Sequence, residues 1–432
     1  RGGLWFTRGD RRMNRVRNKI LWSTLTIVLI SVSLIAWKVR PVLAMASGYM
    51  AKAICSEHFV AGRADLDHIR SDVTDIDPMF GWIHHDVDHE NGRVTASTGV
   101  GIYRVTAVYR GALGCTIAIG VEPESLSAAE KPPIQRRPMP LASERPPGLE
   151  QVLDRAFSEP EPGSHRQTRA VVVLHRGQFV AERYAAPFGP DTPLLGWSMT
   201  KSITNALIGI LVEDGVLELD QPAPVAEWRE PGDIRGGITL RHLLQMSSGL
   251  DFAEVYSPGS DATRMLFTEY SAGGYAANAG LAYPPGTHWS YSSGTSNILA
   301  RIVFEQVGAS AQAVMDFMQS RLFQPLGLES MVVELDSAGA PVGSSFSYAT
   351  ARDWARLGQF WLQDGVWEGR RILPQGWMAW STSPAPAAPR GEYGAQFWLN
   401  AGREGEGRYF PDLPANLYFA NGYNDQSVTV FP

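Results

Sequence analysis

The spacing of hydrophobic and polar residues changes rhythm several times along the chain. From Ile20 to Trp37, eighteen residues pass without a charge. At 1.5 Å per residue that run is at the short end of a membrane span. Lys38 and Arg40 can snorkel, so the apolar stretch is read on to Met45. Residues 46–120 read as a helix followed by short strands around Gly and Asn turns, among them the strand-like RVTASTGVGIYRVTAVYR. Residues 121–148 scatter Pro123, Pro132, Pro133, Pro138, Pro140, Pro146 and Pro147 among charges and read as a linker. A main domain is expected over 149–432. It opens with a candidate helix at 149–158 and continues with AVVVLHRGQFVAERY (170–184), two strands turning at Arg176-Gly177. Mixed helical and loop sequence follows, and YGAQFWLN (393–400), ANLYFANG (415–422) and QSVTVF (426–431) read again as strands. Strands at both ends with helices between them imply a sheet completed by distant parts of the chain. Nothing follows Phe431-Pro432 to cover that sheet, so the domain is expected to continue beyond it.

Charge sharpens the reading of the N-terminus. Residues 1–19 have a balance of +6, which leaves −12 for the rest of a chain whose net charge is −6. An acidic body offers no broad phosphate-neutralising surface, which argues against nucleic acid as a partner. A basic leader (1–19), an apolar run (20–45) and an acidic body fit a single-pass anchor in the inner membrane, with the leader cytoplasmic and the catalytic domain periplasmic. A signal peptide cleaved near Ala44-Met45-Ala46 and a buried core helix are the competing readings.

Cys55 and Cys115 are the only cysteines. In an oxidising compartment they can form one bridge, and two unpaired core cysteines are the alternative. His84, His85 and His89 lie among Asp86, Asp88 and Glu90, but nothing completes a metal set, so this stretch reads as a polar turn before a strand. No metal or organic cofactor is expected.

The strongest chemical signal is WSMTKSITNALIGILVEDG (197–215). Its apolar residues recur at helical spacing and Gly215 closes it, so Ser198 stands at the start of a helix. Lys201, three residues on, lies over the same face. A lysine buried beside a helix N-terminus is disfavoured as ammonium and can accept the serine proton. First-turn amides can stabilise an oxyanion. Only five of the 38 basic residues are lysines, and Lys201 is the last of them. Arginine replaces lysine almost everywhere else, and arginine cannot deprotonate. A second cluster, LAYPPGTHWSYSSGTSNILARIVFEQVG (281–308), places Tyr291 and Ser293 in a loop before a helix. There a tyrosine can relay a proton to a leaving group while the serine donates a hydrogen bond.

Together these clusters resemble the serine beta-lactamase and penicillin-binding-protein superfamily, and within it the class C-like branch of esterases, D-aminopeptidases and 6-aminohexanoate-dimer hydrolases. The resemblance covers about residues 150–432. It rests on Ser198-Met199-Thr200-Lys201, on Tyr291-Ser292-Ser293 and on RHLLQMSSGL (241–250), with PPGTHWSYSSG (284–294) and ARDWARLGQFWLQDG (351–365) also typical. It implies an α/β (α+β) fold, an antiparallel sheet flanked by helices with a mostly helical subdomain. It also implies Ser198 as nucleophile, Lys201 as general base and Tyr291 as the proton-moving partner. The oxyanion donors would be the amides of Ser198 and Gln426. Tyr256, in a loop with Asp261, resembles a substrate contact of the dimer hydrolases.

The third family element departs from the pattern. Where relatives have Lys-Thr-Gly or His-x-Gly, this chain has Gly422-Tyr423-Asn424-Asp425-Gln426. On that alignment Tyr423, Asn424 and Gln426 face substrate, and Asp425 is expected to crowd the strand. With no lysine after 201 and no histidine after 288, no lysine or histidine clamp for a carboxylate is available there. The expected function is hydrolysis of a small ester or amide through an acyl-enzyme. The alternatives are a binding or sensor protein of the same fold, or a beta-lactamase or D,D-peptidase proper. No G-x-S-x-G elbow is present, and the absence of late histidines removes the alpha/beta-hydrolase order.

Overall fold

A computed structural model of the chain describes residues 8–99, 101–134, 139–161 and 166–432, the side chains of 8–16, 18 and 32–38 excepted. Of the expected leader and linker, residues 1–7 and 135–138 lie outside the described residues.

The apolar run is the middle of a single helix, Arg8–Cys55, with Pro41 inside it. The expected membrane anchor is overturned: among the described residues no helix is long and apolar enough to cross a membrane. The run is diluted by Ser23, Thr24, Thr26 and Ser31 and flanked by Lys19 and Arg40. The Thr24 and Thr26 hydroxyls bond back to the Ile20 and Trp22 carbonyls. With the anchor go the expected inner-membrane location, the periplasmic placement of the catalytic domain and the membrane as partner. The end of this helix has a different job. Met45, Ala46, Met50, Ala51 and Ile54 are buried, most of them in a core shared with Ile69, Val94, Ala96 and Ala107.

That core closes against a four-stranded antiparallel sheet in the order β1 (Ile83–Asp88), β2 (Arg93–Thr98), β3 (Val105–Tyr109), β4 (Cys115–Ile117). The histidine-rich stretch expected as a turn begins as strand β1, with His84 opposite Ser97 and His85 opposite Ala96, and turns only at His89-Glu90. Alternation explains it: Ile83 faces the core while His84 is exposed. Among the described residues no group of three metal-binding side chains converges. Cys55 and Cys115 are joined in a disulfide that ties the helix end to β4.

The larger part of the chain has antiparallel sheets flanked by helices. β5 (Ala170–His175) and β6 (Gln178–Tyr184) form a hairpin with a bulge at Val173/Leu174. At the other end, Trp398–Leu399 pairs with Tyr418–Asn421, which pairs with Ser427–Val430. The helix Ala351–Leu362 packs on β5 and on Ser427–Val430, so the two ends of the domain meet across one helix. YGAQFWLN is strand only at Trp398–Leu399; Gln396 has φ 62° and turns its side chain to the Leu244 carbonyl and the Ser296 hydroxyl. The helices Thr200–Glu213 and Ser293–Gln306 lie in the centre, almost wholly buried along one flank.

Candidate active site

The nucleophile candidate sits in a one-turn 3-10 segment, Trp197–Met199, immediately before the helix Thr200–Glu213. Trp197 holds φ 45°, a left-handed conformation that costs a non-glycine residue roughly 1–3 kcal/mol. Its ring is held between Phe346 and Tyr423, with centroids 6.0 and 5.9 Å away. Met199, not Ser198, is the residue capping the helix, so the Ser198 hydroxyl is not spent on a cap.

Lys201 is 1% exposed. Its Nζ lies 3.0 Å from each of three oxygens: Ser198 Oγ, Ser293 Oγ and the Ser344 carbonyl. Burial drives its pKa down to about 8, with the Glu254 carboxylate pushing the other way. Hydrogen-bond counting then orients the amine. As ammonium, Lys201 donates three times; as neutral amine it keeps two N–H groups and one lone pair. The Ser344 carbonyl can only accept. Ser293 gives its own proton to Glu254 Oε1 at 2.6 Å, so its oxygen accepts from Lys201. The lone pair is left facing the Ser198 hydroxyl. Proton removal from Ser198 is what that geometry permits.

Tyr291 is the other neighbour of Ser198. Its ring lies 4.8 Å from Lys201 Nζ and stacks on Trp398 at 5.2 Å, which brings its hydroxyl into electrostatic range of the Ser198 and Trp398 side chains. Burial raises the Tyr291 pKa well above that of a free phenol, and the Ser198 contact opposes this. The phenol stays protonated and can hand that proton on. Tyr256 reaches the same cluster: the residue as a whole is half exposed, while its hydroxyl bonds Glu254 Oε1 at 2.9 Å and lies 3.2 Å from Ser293 Oγ. Burial, then the Glu254 charge, raises its pKa. Asp261 accepts from Ala253 N and the Tyr275 hydroxyl and so closes the loop carrying Glu254 and Tyr256.

Two participants were not foreseen. Glu254 binds the Ser293 amide, the Ser293 hydroxyl and Tyr256, yet in sequence it is one acidic residue among many, 39 positions from Ser293. Trp398 lay in a stretch read only as strand. Of the two histidines near the cluster in sequence, His242 forms a capping box with Thr239 and His288 stacks on Tyr283.

The third element takes a different form from the one expected. Residues 422–426 are the turn of the C-terminal hairpin, and Asn424 and Asp425 both hold φ 62°. Asp425 is exposed in that turn and does not occupy a strand facing the site. A Cβ on Gly422 would come within 2.2 Å of the Gly196 carbonyl, so only glycine lets the hairpin close on the nucleophile turn. Gln426 Nε2 bonds the Leu195 carbonyl at 3.3 Å. Tyr423 packs on Trp197, and Asn424 is exposed at the tip. A cavity of about 430 Å³, lined by Pro133, Gln324, Trp367 and Arg370 among others, contains none of these residues.

A beta-lactamase family model matches residues 153–432. The chain belongs to the beta-lactamase family. Within that superfamily it is related to the esterase, D-aminopeptidase and 6-aminohexanoate hydrolase branch. It is 27% identical over 287 residues to a 6-aminohexanoate-dimer hydrolase of Paenarthrobacter ureafaciens, covering 60% of this chain and 69% of that protein. A candidate 6-aminohexanoate-dimer hydrolase from Bacillus anthracis shares its fold with a TM-score of 0.53 and 23% identity, over 68% of this chain and 79% of that one. A penicillin-binding protein homolog from Caulobacter crescentus does so with a TM-score of 0.51 and 18% identity, over 67% and 90%. The family match starts after the β1–β4 unit, which lies outside it.

Proposed function

We propose that this beta-lactamase family member is a serine hydrolase that cleaves a small ester or amide through an acyl-enzyme. The observation that carries the reading is the orientation of Lys201: two of its three oxygen partners must accept, so the third contact places its lone pair on Ser198. Ser198 Oγ attacks the carbonyl carbon as its proton passes to Lys201. The amides of Ser198 and Gln426 receive the oxyanion. Tyr291 gives its proton to the leaving group as the carbonyl–leaving-group bond breaks, and takes back the proton that Lys201 removed from Ser198. Water then attacks the ester in the mirror sequence, releasing the acid. Ser293, Tyr256, Tyr423 and Asn424 would contact the substrate.

A neutral substrate suits the turn 422–426 better than a beta-lactam, because that turn presents tyrosine, asparagine and aspartate where a lysine or histidine clamp would stand. The Paenarthrobacter relative acts, by its name, on an amide dimer, and the related branch includes esterases; both bond types belong in a substrate panel. The test is a fluorophosphonate probe read by intact mass. Wild type is expected to gain one adduct and Ser198→Ala none. A folded wild type that takes no label would leave a binding protein of this fold as the better reading.

A further inference from the structure

Residues 46–120 lie outside the family match, yet their contacts end one step from the catalytic cluster. The link is made by a hairpin, residues 334–347. On its outer side stands Glu334, fully buried. Its carboxylate is clasped by Lys52 Nζ, by Ser56 Oγ at 2.8 Å and by the Cys115 amide at 2.7 Å. All three donors come from the preceding unit. Lys52 also bonds Ser56 at 2.8 Å and lies over the Phe346 ring at 4.5 Å. Gly114 makes room for the clasp, since a Cβ there would meet Glu334 Cγ at 2.5 Å. The Cys55–Cys115 disulfide joins the two jaws, the helix end with Lys52 and Ser56 and the strand with the Cys115 amide.

The inner side of the same hairpin holds the chemistry. Glu334 N donates to the Phe346 carbonyl at 2.8 Å, closing the hairpin. Two residues before Phe346, the Ser344 carbonyl accepts from Lys201. One residue after it, the Ser347 carbonyl accepts from Gly196 N at 2.8 Å, beside the strained Trp197. Phe346 itself packs on Trp197 and on Phe267, and Phe267 packs on Tyr49 of the preceding unit at 4.9 Å. Any slackening at Glu334 therefore moves the carbonyl that orients the base and the ring that holds the nucleophile turn.

We infer that the unit of residues 46–120 is a working part of the active site, with Lys52 and Glu334 as positioning residues that act through the 334–347 hairpin on Lys201 and Ser198. The inference rests on the serine hydrolase reading above. A purely structural clasp would affect only how much of the protein is folded. A positioning clasp changes the rate of the folded molecules.

The experiment compares two double variants of the full chain. Lys52→Met/Glu334→Leu removes the charges and the acceptor together, and apolar replacement of a buried ion pair is often neutral for stability. Lys52→Met/Glu334→Gln keeps an amide oxygen for Ser56 and Cys115. Fluorophosphonate labelling of Ser198 is followed by intact mass, with the folded fraction taken from the final labelling stoichiometry. The Met/Leu variant is expected to label about tenfold more slowly at full final stoichiometry, as for a lost transition-state contact of about 1.4 kcal/mol. The Met/Gln variant should stay within about threefold of wild type. Turnover of any ester found should show the loss in kcat with KM unchanged. Ser56→Ala, a milder change, should slow labelling about threefold, and it decides the matter if the Met/Leu protein does not fold. Wild-type rates in the folded variants overturn the inference. A wild type that does not label overturns the hydrolase reading itself.

Discussion

The two halves of the site, the Ser198–Lys201 helix start and the hairpin turn 422–426, are built in opposite ways. The first is closed: Lys201 and Ser293 are buried, and the hydrogen bonds of Ser293 and Ser344 that orient Lys201 each have one sensible direction. The second is open: Tyr423, Asn424 and Asp425 are exposed, and two of the three hold left-handed backbone. Burial is what makes a lysine into a base, because desolvation penalises the ammonium. Exposure lets the turn vary without disturbing that chemistry. On the proposed serine hydrolase reading, the closed half sets what reaction is possible and the open half what is brought to it.

The comparison is broken most directly at the closed half. Lys201→Ala should fold and lose at least about 10³-fold in acylation rate, since proton transfer by a positioned base is worth about 10²–10⁴-fold and the orientation of Ser198 is lost as well. Stopped-flow or timed-quench labelling measures it; an unchanged rate would remove Lys201 as base. In wild type the labelling rate should rise with pH around a midpoint near 8, because only neutral Lys201 can take the proton.

Glu254→Gln is the next largest change, and it sharpens the argument. Glu254 holds the Ser293 proton and stabilises the Lys201 ammonium. Removing its charge lowers the Lys201 pKa, so the rising limb moves to lower pH. Gln can instead donate to Ser293, which scrambles the hydrogen-bond directions, and the plateau should fall roughly tenfold or more, as for a lost hydrogen bond to a charged group. A limb moving upward, or not at all, would contradict the assigned network. Trp398→Phe should do less. It keeps an aromatic ring against Tyr291 and trims only part of the stack, which costs a few-fold at most given that an aromatic pair is worth about 0.5–1.5 kcal/mol. Turnover of a panel ester at saturation reads it.

The same contrast explains what could be read without coordinates. Ser198 and Lys201 are three residues apart across one helix start, so local periodicity was enough to pair them. Tyr291 and Ser293 stood in a motif of their own. Glu254 and Ser293 are joined only by the tertiary fold, and Lys52 and Glu334, 282 positions apart, more so. Neither pair leaves a local trace. The N-terminal helix misled for a related reason. An uncharged run is not for that reason apolar enough to span a membrane, since Ser23, Thr24, Thr26 and Ser31 dilute it, and the later turns of the same helix, Met45–Cys55, are buried against protein. The turn 422–426 was misplaced because alignment to a strand motif assumed extended backbone, whereas Asn424 and Asp425 belong to the residue types that tolerate a left-handed turn.

That last point yields the smallest expected effect. If Asp425 lay on a strand facing the substrate, its carboxylate would crowd and repel an approaching carbonyl, and Asp425→Gly would raise activity severalfold. In the hairpin turn the side chain is exposed and the backbone already holds φ 62°. Glycine adopts that conformation without strain, so the variant should be equally or slightly more stable by thermal melting. Its kcat/KM should stay within about twofold of wild type, the range expected of a surface substitution. A gain beyond that would mean that the turn opens when substrate binds and draws Asp425 inward. The open half of the site would then take part in the chemistry as well as in delivery.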